Sequence, residues 1–187
     1  MNLSGKKSVF IDEIDFKPQE TEVRLLNDIN TVLNLFSKVN EVKSYGVSYV
    51  YKFSKICPCD PNNIESSAKY HLGKVSYCSD ISIKLKPIHN WEDRLFTENE
   101  LFKHHNPKSI SSEDYWLGIV PNEIRLNKLT PKEFIVKILK DYFSPNNMEV
   151  FSMSVHSSGY YACSWEEYLF YNKKTAELYW LSFQVHD

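Results

Sequence analysis

The last forty residues constrain this chain more than any other stretch. Between Glu177 and Val185, Tyr179, Leu181, Phe183 and Val185 fall on one side, with Leu178 and Trp180 on the other. A side-chain period of two in aromatic and β-branched residues predicts a strand. The run Tyr160–Tyr171 before it is long and aromatic, and Asn172-Lys173-Lys174-Thr175 supplies the residue types of a hairpin turn. Glu149–Val155 alternates as well, and Ser157-Ser158-Gly159 turns the chain. Together these segments predict a C-terminal β-meander, in which strands pair with their sequence neighbours.

Such a sheet needs a cover, and two segments have the period to provide it. From Glu20 to Val39 the apolar residues Val23, Leu26, Ile29, Val32, Leu33 and Phe36 recur at steps of three and four, which predicts a helix over about 20–39. Its polar face carries Glu22, Asp28, Asn34 and Lys38. A second helix is predicted over 131–143. It opens on Thr130-Pro131-Lys132-Glu133, where the hydroxyl and the carboxylate have capping-box spacing and proline takes the first helical position. It runs through Phe134, Ile135, Ile138, Leu139 and Phe143 and stops at Ser144-Pro145-Asn146-Asn147. Thr97-Glu98-Asn99-Glu100 has the same box spacing and marks another helix start.

Two further alternations precede the meander. Tyr45, Val47, Tyr49, Tyr51 and Phe53 share one side, as do Val75, Tyr77, Ile81, Ile83 and Leu85. The second strand presents Lys74, Ser76, Cys78, Asp80, Ser82 and Lys84 on its other face, the pattern of an antiparallel sheet with one solvated side. The turn-rich run Cys57-Pro58-Cys59-Asp60-Pro61-Asn62-Asn63 separates the two, and Tyr115–Val120 reads as a short strand ended by Pro121. No repeat, low-complexity tract or linker divides the 187 residues. The expected fold is α+β: one domain spanning 1–187, a mainly antiparallel twisted sheet, two principal helices and a C-terminal hairpin.

Composition narrows the function classes. Twenty-two basic residues against 24 acidic ones give a net charge of −2, which lacks the basic footprint of a general nucleic-acid binder. Only five glycines are present, and none forms a phosphate-cradling loop before Lys-Ser/Thr. No apolar run reaches the roughly 20 residues of a membrane span. Met-Asn-Leu-Ser-Gly-Lys-Lys leads to Ile11-Asp12-Glu13 rather than to an apolar signal core, so a cytoplasmic location with reduced cysteines is expected. Nineteen lysines to three arginines, with 15 asparagines and three alanines, suit a low-GC bacterial host.

Each candidate for chemistry has a plainer reading beside it. Cys57, Cys59, His71 and Cys78 are the right ligand types for zinc, but one residue between the paired cysteines is too few for a knuckle, so reduced thiols are expected. His104 follows Glu100 by four residues, the spacing of a surface pair as much as of a metal ligand, and His104 and His105 diverge on a helix. Cys163, with His156 or His186 as a base, sits in an aromatic strand pattern where a buried thiol is unreactive. Asp12-Glu13 with Asp15, Glu113-Asp114 and Glu166-Glu167 are acidic clusters.

No catalytic motif stands out, so the expected class is a non-enzymatic intracellular binding protein without cofactor or metal. An immunity or antidote type would occlude a basic toxin or nuclease domain through an acidic surface bearing aromatics. Glu166, Glu167, Tyr168 and Tyr171 are the residues chosen for that surface, because charge steers encounter and aromatics anchor the contact. The alternatives are a hydrolase with a metal site assembled from dispersed His, Asp and Glu residues, and an adaptor that self-associates through a sheet edge. The expected partner is a protein, not nucleic acid or membrane.

Overall fold

The computed structural model describes residues 17–43, 46–75, 80–96, 112–117, 129–159 and 162–187. The sheet has five strands: β1 (Ser48–Ile56), β2 (Ile81–Pro87), β3 (Met148–Ser157), β4 (Ser164–Asn172) and β5 (Glu177–His186). Their spatial order is β1-β5-β4-β3-β2, and every neighbouring pair is antiparallel. The meander β3-β4-β5 is therefore the centre. The two earlier strands add to its outer sides, which leaves β1 and β2 as the edges.

Helix α1 (Lys17–Lys43) lies on one face with α5 (Pro131–Tyr142), the short α3 (Trp91–Arg94) and α4 (Ser112–Leu117). Its core stripe is Leu25, Ile29, Leu33 and Phe36, all at most 2% exposed. The expected stripe differs by one flank: Val23 is 55% exposed, and Leu26 and Val32 are only partly buried. Residues 25, 29, 33 and 36 step by four, four and three, so they form a narrower face than the six positions chosen from sequence. The face meets Tyr49, Tyr51, Phe53, Tyr179, Leu181 and Phe183, with Phe53 and Tyr179 stacked at 5.6 Å between centroids. The capping box at α5 is present: Thr130 Oγ1 accepts from Glu133 N–H at 3.2 Å, and Glu133 Oε2 accepts from Thr130 N–H at 2.7 Å.

The other face carries α2 (Ile64–Val75), a helix that the periodicity does not announce. Asn63 starts it, its Oδ1 accepting from Ser66 N–H at 3.0 Å, and Ile64, Ala68 and Leu72 face the sheet four residues apart. They pack with Ile56, Ile81, Ile83, Met153, Leu169, Leu178 and Trp180. Val75 thus ends a helix, and the strand begins only at Ile81. The sheet is covered on both faces at its centre. The solvated face expected from the alternation survives at the β2 edge, where Ser82, Lys84 and Lys86 are exposed.

Residues 112–117 form a helix, so Tyr115–Leu117 do not open the strand expected over Tyr115–Val120, because buried Trp116 is fixed by distant partners described below; the rest of that stretch lies outside the described residues. The Thr97–Glu100 box lies outside the described residues.

Candidate functional site

The four residues chosen for an acidic docking surface are interior. Glu166 is 4% exposed, Glu167 2%, Tyr168 1% and Tyr171 9%. The cause is the central position of β4, which has a strand on each side and helices over both faces. Successive residues point to opposite faces, so the two glutamates serve two separate networks. Toward α1, Glu166 Oε2 accepts from the Trp116 indole N–H at 2.6 Å and Oε1 from the Tyr168 hydroxyl, whose oxygen accepts from Phe96 N–H at 2.7 Å. The Trp116 carbonyl accepts from Asn40 Nδ2 at 2.9 Å and from the Tyr51 hydroxyl at 3.0 Å. Toward α2, Glu167 accepts from the Trp180 indole, from Ser182 Oγ at 3.1 Å and from Gln184 Nε2 at 2.9 Å. Burial first, then Glu166, pushes the Tyr168 phenol well above its ordinary range, so it remains a donor. These side chains tie α4 and the strands together. They offer nothing to a partner.

The other candidates are scattered. Cys57 is exposed and Cys59 half-buried at the end of β1. His71 lies edge-on to Trp180 at 5.5 Å, and Cys78 lies outside the described residues. Burial, and then Lys52 and Lys74, hold the His71 ring below its usual value. Among the described residues no three His, Cys, Asp or Glu side chains gather as a metal group. Cys163 is exposed just before β4, not within a buried strand as expected, and its amide donates to the Val185 carbonyl at 2.8 Å. His156 is exposed on β3, and the His186 ring meets Gln184 Oε1 at 3.0 Å. Glu100, His104, His105, Asp12, Glu13 and Asp15 lie outside the described residues, as do the side chains of Glu113 and Asp114.

The two sheet edges, in contrast, are built differently. Along β1, polar side chains from one flank of α1 take the place of a neighbouring strand at Tyr49 and Phe53. Asn30 Nδ2 donates to the Phe53 carbonyl at 2.8 Å while its Oδ1 accepts from Phe53 N–H at 2.8 Å. Ser37 Oγ donates to the Tyr49 carbonyl at 2.8 Å, and Glu41 Oε1 accepts from Tyr49 N–H at 3.2 Å. Residues 30, 37 and 41 are seven and four apart, so one helix flank presents all three.

Along β2 there is no such cover among the described residues. Ile88 N–H donates to the Val150 carbonyl at 2.8 Å, which by antiparallel alternation turns the even residues Ser82, Lys84 and Lys86 toward β3. The backbone groups of Ile81, Ile83 and Leu85 then point outward. Among the described residues none bonds to them. Pro87, which has no N–H, ends the strand, as suits an edge. Beyond it lies a cleft of about 600 Å³ lined by Pro87, His89, Trp91, Met148, Phe151 and Lys173, among others. The charges lining it are already paired, Glu149 with Lys173 at 3.5 Å and Glu92 with Lys140 at 4.0 Å. Lysine and proline on an edge strand were readable from the sequence; that β2 is an edge was not.

Fold and site together define an antiparallel sheet between helical layers with the β2 edge uncovered among the described residues. Two crystal structures of citrus MAF1 are distantly similar to the chain. One, in space group C 2 2 21, is 12% identical with a TM-score of 0.44, covering 83% of this chain and 98% of that one. The other, in space group P 31 2 1, is 11% identical with a TM-score of 0.39, covering 83% and 97%. Likenesses of this extent assign neither family nor function. No protein-family model matches the chain, and no curated protein matches it. Among the described residues no helix is long and apolar enough to cross a membrane.

Proposed function

We propose that this chain is a non-enzymatic protein-binding domain that takes an extended segment of its partner as a sixth strand on β2. The observation that supports the reading is the unequal treatment of the two edges. Asn30, Ser37 and Glu41 satisfy outward backbone groups of β1, whereas Ile81, Ile83 and Leu85 keep theirs unpaired among the described residues. Unpaired edges template strand addition; Lys84, Lys86 and Pro87 of β2 restrict which segments can add, whereas side chains of α1 occupy the edge of β1 outright at Tyr49 and Phe53. Main-chain bonds along such an edge give affinity, and pockets or charges for alternate side chains give selectivity. The reading keeps the binding class expected from composition but moves the contact surface away from Glu166, Glu167, Tyr168 and Tyr171. An antidote-type role would have to run through this edge, since the carboxylates chosen for it are interior.

The test works with the natural partner unidentified. Octapeptides displayed on phage are selected on the protein, and the best binder is resynthesised with a single N-methyl group at each backbone position in turn. Strand addition requires that methylation abolish binding at every second residue, because alternate amides face away from β2. The amides of Ile81, Ile83 and Leu85 should also gain protection from hydrogen exchange. Tolerance of methylation at every position would refute the proposal.

A further inference from the structure

The side chains of β2 also say what such a segment should look like. Ser82, Lys84 and Lys86 are exposed on the α1 side, and β3 places His156, Ser154 and Ser152 directly across from them. On the α2 side Ile81 and Ile83 are buried and Leu85 is half-buried. Resting on the strand-addition reading, we infer that the partner segment runs antiparallel to β2 and alternates acidic with apolar residues. A carboxylate stands opposite Lys84, and its apolar side chains lie beside Ile83 and Leu85.

Three considerations lead there. Every pair already in the sheet is antiparallel, and that ladder is the more favourable per residue. Residues opposite Lys84 fall in non-hydrogen-bonded pairs, where cross-strand side chains come closest, so opposite charge is felt most at that position. A second copy of this chain is a poor occupant by the same reasoning. No residue of Ile81–Pro87 is acidic, and only Asp80, which precedes the strand, could reach Lys84. Among the described residues that register pairs no more than Asp80 to Lys84 with the twin.

The experiment titrates the full-length ¹⁵N-labelled chain with three capped heptapeptides, Glu-Val-Glu-Val-Glu-Val-Glu and its lysine and glutamine counterparts. Shift perturbation and amide exchange along β2 are followed, with the exposed-site variant Lys84→Glu as control. The expected result is at least tenfold tighter binding of the glutamate peptide than of the lysine peptide. That preference should fall with added salt and cancel or invert in Lys84→Glu. Equal binding of all three, with β2 amides protected, overturns the charge inference and leaves strand addition standing. An unchanged preference in Lys84→Glu overturns the role given to Lys84. No binding at millimolar concentration, with the edge amides exchanging freely, overturns both. Doubled mass in sedimentation with those amides protected before any peptide is added would assign the edge to a second copy instead.

Discussion

Asn30→Ala tests whether a single side chain closes the β1 edge. Asn30 Oδ1 and Nδ2 each bond the backbone of Phe53 at 2.8 Å, and Nδ2 also donates to the Leu26 carbonyl at 2.7 Å. Phe53 itself is 1% exposed and sits between Phe170 and Tyr179, so strand and helix cannot drift apart to let bulk water in freely. A net intramolecular hydrogen bond contributes about 1 kcal/mol, so losing the pair costs about 2 kcal/mol. The higher helix propensity of alanine returns about 0.5 kcal/mol, for a net loss near 1.5 kcal/mol. With a urea slope of about 2 to 3 kcal/mol per molar for a chain of this size, the midpoint should fall by roughly 0.6 M. Asn30→Asp keeps the acceptor for Phe53 N–H but sets a second lone-pair oxygen against the Phe53 carbonyl, so it should be no more stable than the alanine variant. Native-state exchange of the Phe53 amide should accelerate in both. A midpoint shift below about 0.2 M in Asn30→Ala, with Phe53 exchange unchanged, would show that Asn30 does not stand in for a strand.

Other outcomes follow from the same contacts. Glu167→Ala leaves the Trp180 indole, Ser182 Oγ and Gln184 Nε2 without their acceptor, and should cost about 3 kcal/mol or more in chemical denaturation with a change in tryptophan emission. Thr130→Ala should lose about 1 kcal/mol through the capping box of α5, and Thr130→Ser should recover most of it. Lys55 bridges Glu22 at 2.8 Å and Glu177 at 2.7 Å. Burial would raise the Glu177 carboxyl, but its bonds from Lys55 and Thr175 outweigh that and hold it below the ordinary 4.5. The folded chain therefore takes up this proton less readily than the unfolded one. Stability from the pair is full above about pH 4.5 and drains away as pH falls through the lower folded value; Lys55→Met should flatten this acid limb in melts taken against pH. His71, held below 6.5 chiefly by burial, has the same sign in a higher window, and His71→Phe should remove the loss of stability on acidification below about pH 6.5.

The strands of the meander were legible because their alternation is strict: Tyr179, Leu181, Phe183 and Val185 do face α1, while Leu178 and Trp180 face α2. The Thr130 box was legible because its bonds are local. Helix α2 is hard to read, since Ile64, Ala68 and Leu72 are few and Ser67 and Gly73 dilute the stripe, although Asn63 just before it is a cap signal. Helix α4 reads as a strand because Tyr115-Trp116-Leu117 suits either element. What decides it is Asn40, Tyr51 and Glu166 closing on Trp116 from 50 to 76 residues away. Glu166-Glu167 misled for a related reason. Charge reads as exposure in one dimension, and only the tertiary fold brings an indole and a hydroxyl donor to each carboxylate. The open edge depends on strand order, a long-range property that periodicity does not carry.

The caps on β1 bear on how far association could ever proceed. In the language of polymerisation, a sheet with two reactive edges is a bifunctional monomer, and bifunctional monomers make chains. Asn30, Ser37 and Glu41 act as a partial chain stopper built into α1, occupying the outward groups of Tyr49 and Phe53 and leaving β2 the more reactive end. Two molecules meeting through β2 would consume both reactive ends and terminate as a ten-stranded pair. One bound segment per molecule, or one twin, is the expected product, and growth into a fibre by this route is disfavoured.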